Sequence, residues 1–206
     1  MKNVSLIPFT TALEKRFNAQ LKKIYVGQSF RKKERPILNN INITDNGAVQ
    51  ITNGIVAVQL ANTNAEANNL EGYPKNLTNL FEVDQSYIDQ SVPIYWDDLK
   101  ILEDQLNVIY KQKIDDVKIT ISNVGITIEK GKIEANDVFI KSNINTSLAT
   151  DQQHIFKIDP RFLHDCLMFF RQIYKKGYHV RLWTYQSNLI KFTFEDMTYI
   201  IAPIRY

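Results

Sequence analysis

Three histidines, His154, His164 and His179, and a single cysteine, Cys166, are the side chains best suited to hold a metal or attack a substrate. A zinc site needs several such ligands at short, fixed spacings. Here the histidines stand 10 and 15 residues apart and only one sulfur is present. His164 and Cys166 lie two apart on a predicted helix, so they point in different directions. Cys166 reads as a core residue and the histidines as strand-edge or helix-surface residues. The adjacent carboxylates Asp97-Asp98 and Asp115-Asp116 offer acid–base or metal-binding chemistry. The first pair, however, suits a helix start and the second a turn. No Gly-x-Gly-x-x-Gly run, phosphate loop or Gly-x-Ser-x-Gly elbow occurs. The residue types point to binding rather than catalysis, with no cofactor or metal.

These side chains hang on a repeated pattern of elements. Three segments have helical periodicity. In Thr10–Tyr25 the stripe is Leu13, Phe17, Leu21 and Ile24, with Thr10 or Thr11 as cap. In Trp96–Lys111 it is Leu99, Leu102, Leu106 and Ile109. In Asp159–Tyr174, Asp159 is a natural N-cap and Pro160 suits the first helical position. Its apolar face is Phe162, Leu163, Cys166, Leu167, Phe170 and Ile173, and Gly177 stops it.

Strand patterns follow each helix: Ile37–Ile43, Ala48–Thr52 and Ile55–Leu60; Asp116–Ser122, Gly125–Glu129 and Asp137–Ser142; His179–Thr184, Leu189–Phe194 and Tyr199–Arg205. A short strand precedes each helix, at Val4–Phe9, Val92–Tyr95 and His154–Ile158. Turn residues such as Asp45-Asn46-Gly47 and Lys130-Gly131 separate them. The chain therefore reads as β-α-β-β-β three times over. Asn62–Ser91, polar and rich in Asn, reads as an extended connector. One such repeat cannot bury both its faces, so the second and third are expected to pair. The expected division is 1–75, a half-domain with the connector, and 76–206, a domain of two repeats.

The 206 residues carry a net charge of +3, with 44% hydrophobic and 23% charged residues. This is ordinary for a globular protein and mild for one that neutralises many phosphates. The distribution is uneven. Lys15, Arg16, Lys22, Lys23, Arg31, Lys32, Lys33 and Arg35 crowd the first 35 residues, against Glu14 and Glu34. One cysteine permits no internal disulfide. No apolar run approaches a membrane span, and the N-terminus lacks the apolar stretch of a signal peptide. The expectation is a cytoplasmic protein.

Several strings, in order, resemble the bacterial sliding clamp family, the beta subunit of DNA polymerase III. Phe156-Lys157-Ile158-Asp159-Pro160-Arg161-Phe162-Leu163-His164-Asp165-Cys166-Leu167 is similar to the clamp's last helix entry, usually F-N-x-x-Y-L-x-D-A-L. The ending Tyr199-Ile200-Ile201-Ala202-Pro203-Ile204-Arg205-Tyr206 resembles an apolar strand followed by M-P-x-R, with Ala202 in place of Met. Arg35-Pro36-Ile37-Leu38-Asn39-Asn40-Ile41 resembles R-P-I-L-x-G-V, and Thr52-Asn53-Gly54-Ile55-Val56-Ala57 stands where T-D-G-H-R-L is usual. Gly72-Tyr73-Pro74 is similar to the G-x-F-P-D-Y junction. The repeat between the last two strings has no counterpart here. Such a shortened, divergent clamp suits a bacteriophage or mobile element.

The resemblance implies an α+β, DNA-clamp-like fold of βαβββ repeats, with antiparallel sheets outside and helices on one face. It implies a processivity factor that assembles around duplex DNA without reading sequence and recruits a DNA polymerase or other replication proteins. The DNA-facing residues would be Lys15, Arg16, Lys22, Lys23, Lys100, Arg161, Arg171, Lys175 and Lys176. The partner-peptide pocket would map onto Thr52, Gly54, Ala57, Pro74, Ile200, Ala202, Pro203, Ile204 and Arg205. Ile55 and Val56 stand where the family has His and Arg. Family rings contain twelve repeats, so three per chain would need a homo-oligomer of four. The alternative is a clamp mimic, an interaction protein that binds replication proteins without encircling DNA.

Overall fold

The structure is a computed structural model, and it describes residues 15, 17, 36–68, 70–82, 91–111, 116–130, 141–144, 153–173, 178–184 and 189–204. After a 3-10 turn at Pro36–Asn39 come strands β1 (Asn42–Ile43), β2 (Val49–Thr52) and β3 (Val56–Leu60), then the short helix α1 (Leu77–Phe81). Next are β4 (Ser91–Tyr95), α2 (Trp96–Lys111), β5 (Val117–Ser122), β6 (Gly125–Lys130) and β7 (Lys141–Ile144). The described chain closes with β8 (His154–Ile158), α3 (Pro160–Ile173), β9 (His179–Thr184), β10 (Ile190–Phe194) and β11 (Met197–Ile201). This is an α+β fold of antiparallel strands and helices in the order the βαβββ pattern demands.

Two compact units divide the chain: residues 1–82 with 195–200, and residues 83–194 with 201–206. In the first, strands run β1-β2-β3-β11. The β2–β3 hairpin pairs Val49 with Leu60 and Thr52 with Ala57. Ile43, Val49, Ile51, Val56, Val58, Leu60, Leu77, Phe81 and Tyr199 are buried. Lys15 and Phe17 are helical, the first exposed and the second fully buried, as the stripe of Thr10–Tyr25 requires. Buried polar groups find one another. Gln50 donates to Gln59 Oε1 at 2.9 Å and to Thr78 Oγ1 of α1 at 3.3 Å.

In the second unit one set of strands runs β10-β9-β4 and another β7-β6-β5-β8. The first strand of each repeat leaves its own repeat. Strand β4, which precedes α2, pairs with β9, matching Val92 with Leu182 and Ile94 with Val180. Strand β8, which precedes α3, pairs with β5, matching Ile119 with Phe156. The two helices share the core so formed. Leu99, Leu102, Leu106 and Ile109 of α2 are buried, as are Leu163, Cys166, Leu167, Phe170 and Ile173 of α3. A void of about 10 Å³ remains between Ile94, Leu102, Ile121, Leu163, Leu167 and Phe192. It is apolar and about the size of one water, so it stays dry. Asp159 caps α3: its carboxylate accepts from Arg161 N at 2.9 Å, and Phe162 N donates to the Asp159 carbonyl at 3.1 Å.

Three expectations change. Ile37–Ile43 is not one strand, because a 3-10 turn occupies Pro36–Asn39 and only Asn42–Ile43 pairs. The last strand ends at Ile201 rather than Arg205, since Pro203 has no N–H for a ladder. Ile204 N instead donates to Lys157 O of β8 at 2.8 Å. The Asn62–Ser91 connector is not simply extended, because it holds α1, whose Leu77 and Phe81 are buried. The strand expected at Val4–Phe9, and the start of that expected at Asp137–Ser142, lie outside the described residues.

Gly47 has φ +74°, and a Cβ there would collide with the Thr63 carbonyl. Gly72 has φ +80° with open space around it. Gly47→Ala should therefore cost more than Gly72→Ala in urea unfolding, which pays only for the positive φ, about 1 kcal/mol. The Tyr73 hydroxyl donates to Gln50 O at 3.3 Å, and burial pushes its ionisation well upward. The unfolded chain ionises this phenol first, near pH ~10. Stability should be intact below that pH and fall as the pH rises beyond it. The loss should be smaller in Tyr73→Phe.

Candidate functional site

The helices of the second unit carry the described residues expected to meet phosphates. Lys100 is exposed on α2. Arg161 opens α3, but its guanidinium is clamped to its own cap, with Nε 2.9 Å from Asp159 Oδ1 and Nη2 2.5 Å from Oδ2. Arg171 reaches across to α2, placing Nη1 2.7 Å from Glu103 Oε2. The Glu103 side chain is only 7% exposed, so this ion pair is largely desolvated on one side. Both arginines thus serve helix capping and helix–helix packing. Nearby exposed charges are Lys100 and Lys111 against Asp97, Asp104 and Asp165. Lys15 is exposed in the first unit. Arg16, Lys22, Lys23, Lys175 and Lys176 lie outside the described residues.

The expected peptide-holding residues are built differently in each unit. In the first, Thr52-Asn53-Gly54 makes the tight β2–β3 turn. Thr52 Oγ1 donates to Val56 O at 2.7 Å and accepts from Gly54 N at 3.0 Å. Asn53 Oδ1 accepts from Ile55 N at 2.9 Å and from Val56 N at 2.8 Å. An amide oxygen thereby does what an aspartate would do in this turn. Gly54, at φ +86°, and Pro74 are exposed, whereas Thr52, Ala57 and Ile200 are buried. Buried Tyr73 anchors the turn that presents Pro74. In the second unit Ala202 and Pro203 are half-buried and Ile204 is exposed beside β8. Arg205 lies outside the described residues.

Sequence reasoning missed Glu103 and Asp159 as the groups that occupy the two arginines. The Asp159–Arg161 spacing of two at a helix start was a usable signal; nothing local marks Glu103. Among the described residues no group of three or more His, Cys, Asp or Glu could hold a metal. Cys166 is fully buried, and desolvation pushes its thiol well up, which leaves little reactive thiolate. No described helix is long and apolar enough to cross a membrane.

Arg171→Ala should cost about 3 kcal/mol in chemical denaturation, because Glu103 is left buried without its partner. Arg161→Ala, at an exposed pair, should cost under about 1 kcal/mol. Asn53→Ala removes an acceptor from two backbone donors and should cost roughly 1–3 kcal/mol.

No family model matches the sequence, and no curated protein matches it. Solved structures do match. The chain aligns over its full length with the beta sliding clamp of C. crescentus, at TM-score 0.70 and 12% identity, covering 67% of that chain. It aligns likewise with the DNA polymerase III subunit beta of Pseudomonas aeruginosa, at TM-score 0.64 and 12% identity, covering 68% of it. Against the beta subunit of Streptococcus pyogenes, 91% of this chain covers 64% of that one, at TM-score 0.58 and 13% identity. The chain spans about two thirds of the length of these proteins, and what it shares with them is the sliding-clamp fold.

Proposed function

We propose that this chain is a clamp-like interaction protein of DNA replication. It holds a replication protein, such as a polymerase, through a short peptide segment and does not encircle DNA. It acts by binding, without catalysis. One observation carries this reading: the exposed charges of α2 and α3 are balanced, with no net basic surface. Arg161 and Arg171 are committed to Asp159 and Glu103, and the remaining exposed charges of the two helices are as much acidic as basic. Duplex affinity scales with the number of phosphates that Lys and Arg neutralise, releasing counterions from the DNA. A helix layer with a balanced charge holds duplex DNA poorly.

Peptide contacts would come from Ala202, Pro203, Ile204 and Arg205 in the second unit; in the first unit Gly54 and Pro74 are the exposed candidates. Within the first unit Thr52, Ala57 and Ile200 would support Gly54 and Pro74 from the core. Short apolar anchors suit such exposed Pro and Ile surfaces.

A second reading is favoured by Lys15, exposed on a helix whose Phe17 is buried, within the basic first 35 residues. In that reading copies assemble around duplex DNA and the first helix faces it.

Size-exclusion chromatography with light scattering, together with retention on nicked circular DNA, separates the two. The expected result is no closed oligomer and no topological retention. A stable ring, retained on the circle and released when it is linearised, would establish the second reading instead. For the partner site, fluorescence polarisation with short apolar peptides from replicative polymerases should show binding. Ile204→Asp should weaken it about tenfold, or about 1.4 kcal/mol. Equal binding by the variant would remove Ile204 from the site.

A further inference from the structure

The three strands β4, β9 and β10 have two faces. Val92, Ile94, Val180, Leu182 and Phe192 point into the core. The opposite face carries Ser91, Pro93, Tyr95, His179, Arg181, Trp183, Lys191 and Thr193, as the register requires: Tyr95 stands opposite His179, and Pro93 and Thr193 both stand opposite Arg181. Ser91, Trp183 and Lys191 are buried. Arg181 Nη1 donates to Ser91 Oγ at 3.0 Å, which confirms that these side chains share one side. The β4 end of this face is open. Tyr95 is 56% exposed, and its ring lies 5.6 Å from the His179 imidazole at 52°. Arg181 is exposed beside them. No carboxylate occupies a described outward position on the three strands.

An exposed aromatic ring beside a cation offers a flat stacking surface. With no carboxylate at the described outward strand positions, Arg181 gives this face an affinity for an anion. The ligand that supplies a flat apolar surface and a negative charge together is single-stranded nucleic acid. Its bases stack on rings and its phosphates meet cations, without sequence readout. Residues two apart on a strand are spaced about 6.6–6.8 Å. That distance separates the Tyr95–His179 pair from Arg181 and suits a base and a neighbouring phosphate of an extended strand. Duplex DNA hides its bases, so it offers this face only phosphate.

We propose that the outward face of β4 and β9 is a single-strand nucleic-acid site, in which a base stacks on Tyr95 with His179 at its flank and a phosphate meets Arg181. The site lies wholly within the second unit and shares no residue with the proposed peptide contacts, so either proposal can fail alone.

The test is fluorescence anisotropy of the full chain with a labelled oligo-dT of about 12 nucleotides, within the usual site sizes. Tyr95→Ala should weaken binding roughly tenfold, as loss of one stacked base does. Tyr95→Phe should keep the affinity within about twofold, since the ring face remains. Arg181→Ala should lower the slope of log affinity against log salt by about 0.7, the loss of one phosphate contact. The proposal is overturned if Tyr95→Ala binds like the parent chain, or if a duplex of equal length binds as tightly as the single strand. Equal competition by poly-glutamate would likewise overturn it, since charge alone would then account for binding. Circular dichroism of each variant shows whether a loss is a loss of fold.

Discussion

The reciprocal exchange of first strands, β4 to β9 and β8 to β5, is the constraint on which the second unit depends. One βαβββ repeat has a helix and too few strands to cover it. By giving its first strand to the other, each repeat closes the other's core, and α2 and α3 are drawn together beneath both sets of strands. The dry space between Leu102, Leu163 and Phe192 is where these contributions meet. Neither repeat can fold to its native core alone, because the residues that complete its sheet come from far away in the chain.

The charges of α2 and α3 follow from that closeness. Two helices packed side by side bring Glu103 against Arg171, and burial of the glutamate demands the partner. Arg161 is likewise drawn to the cap of its own helix. Residues that would be free to meet phosphates on an isolated helix are thus consumed in building the layer. The fold shared with sliding clamps supplies the scaffold, and pairing within it uses charge that an isolated helix would present to solvent.

Much of this was legible in the amino acids. The i, i+3, i+4 stripe of α2 and the Asp159-Pro160 start of α3 gave both helices to within a residue or two. The strand patterns at Ala48–Thr52 and Ile55–Leu60 gave both strands of the β2–β3 hairpin. The strand exchange was not legible, because pairing between distant segments leaves no local periodicity. The Arg171–Glu103 pair was hidden for the same reason, and Arg171 read as a surface cation. Local chemistry also misled at both ends of the apolar runs: Pro36-Ile37-Leu38 looked extended but turns, and Pro203 ended a strand that hydropathy would have continued. Of the candidate partner residues, exposure separates Gly54, Pro74 and Ile204 from Thr52, Ala57 and Ile200, a distinction that residue type alone does not make.

The proposed function requires that the α2–α3 layer not bind phosphate. Backbone amide shifts in NMR, followed while a short duplex DNA is titrated into the full chain at low salt, test it most directly. The amides of Trp96–Lys111 and Pro160–Ile173 are expected to hold their positions throughout. Progressive, saturable shifts along those two helices, abolished by added salt, would contradict it.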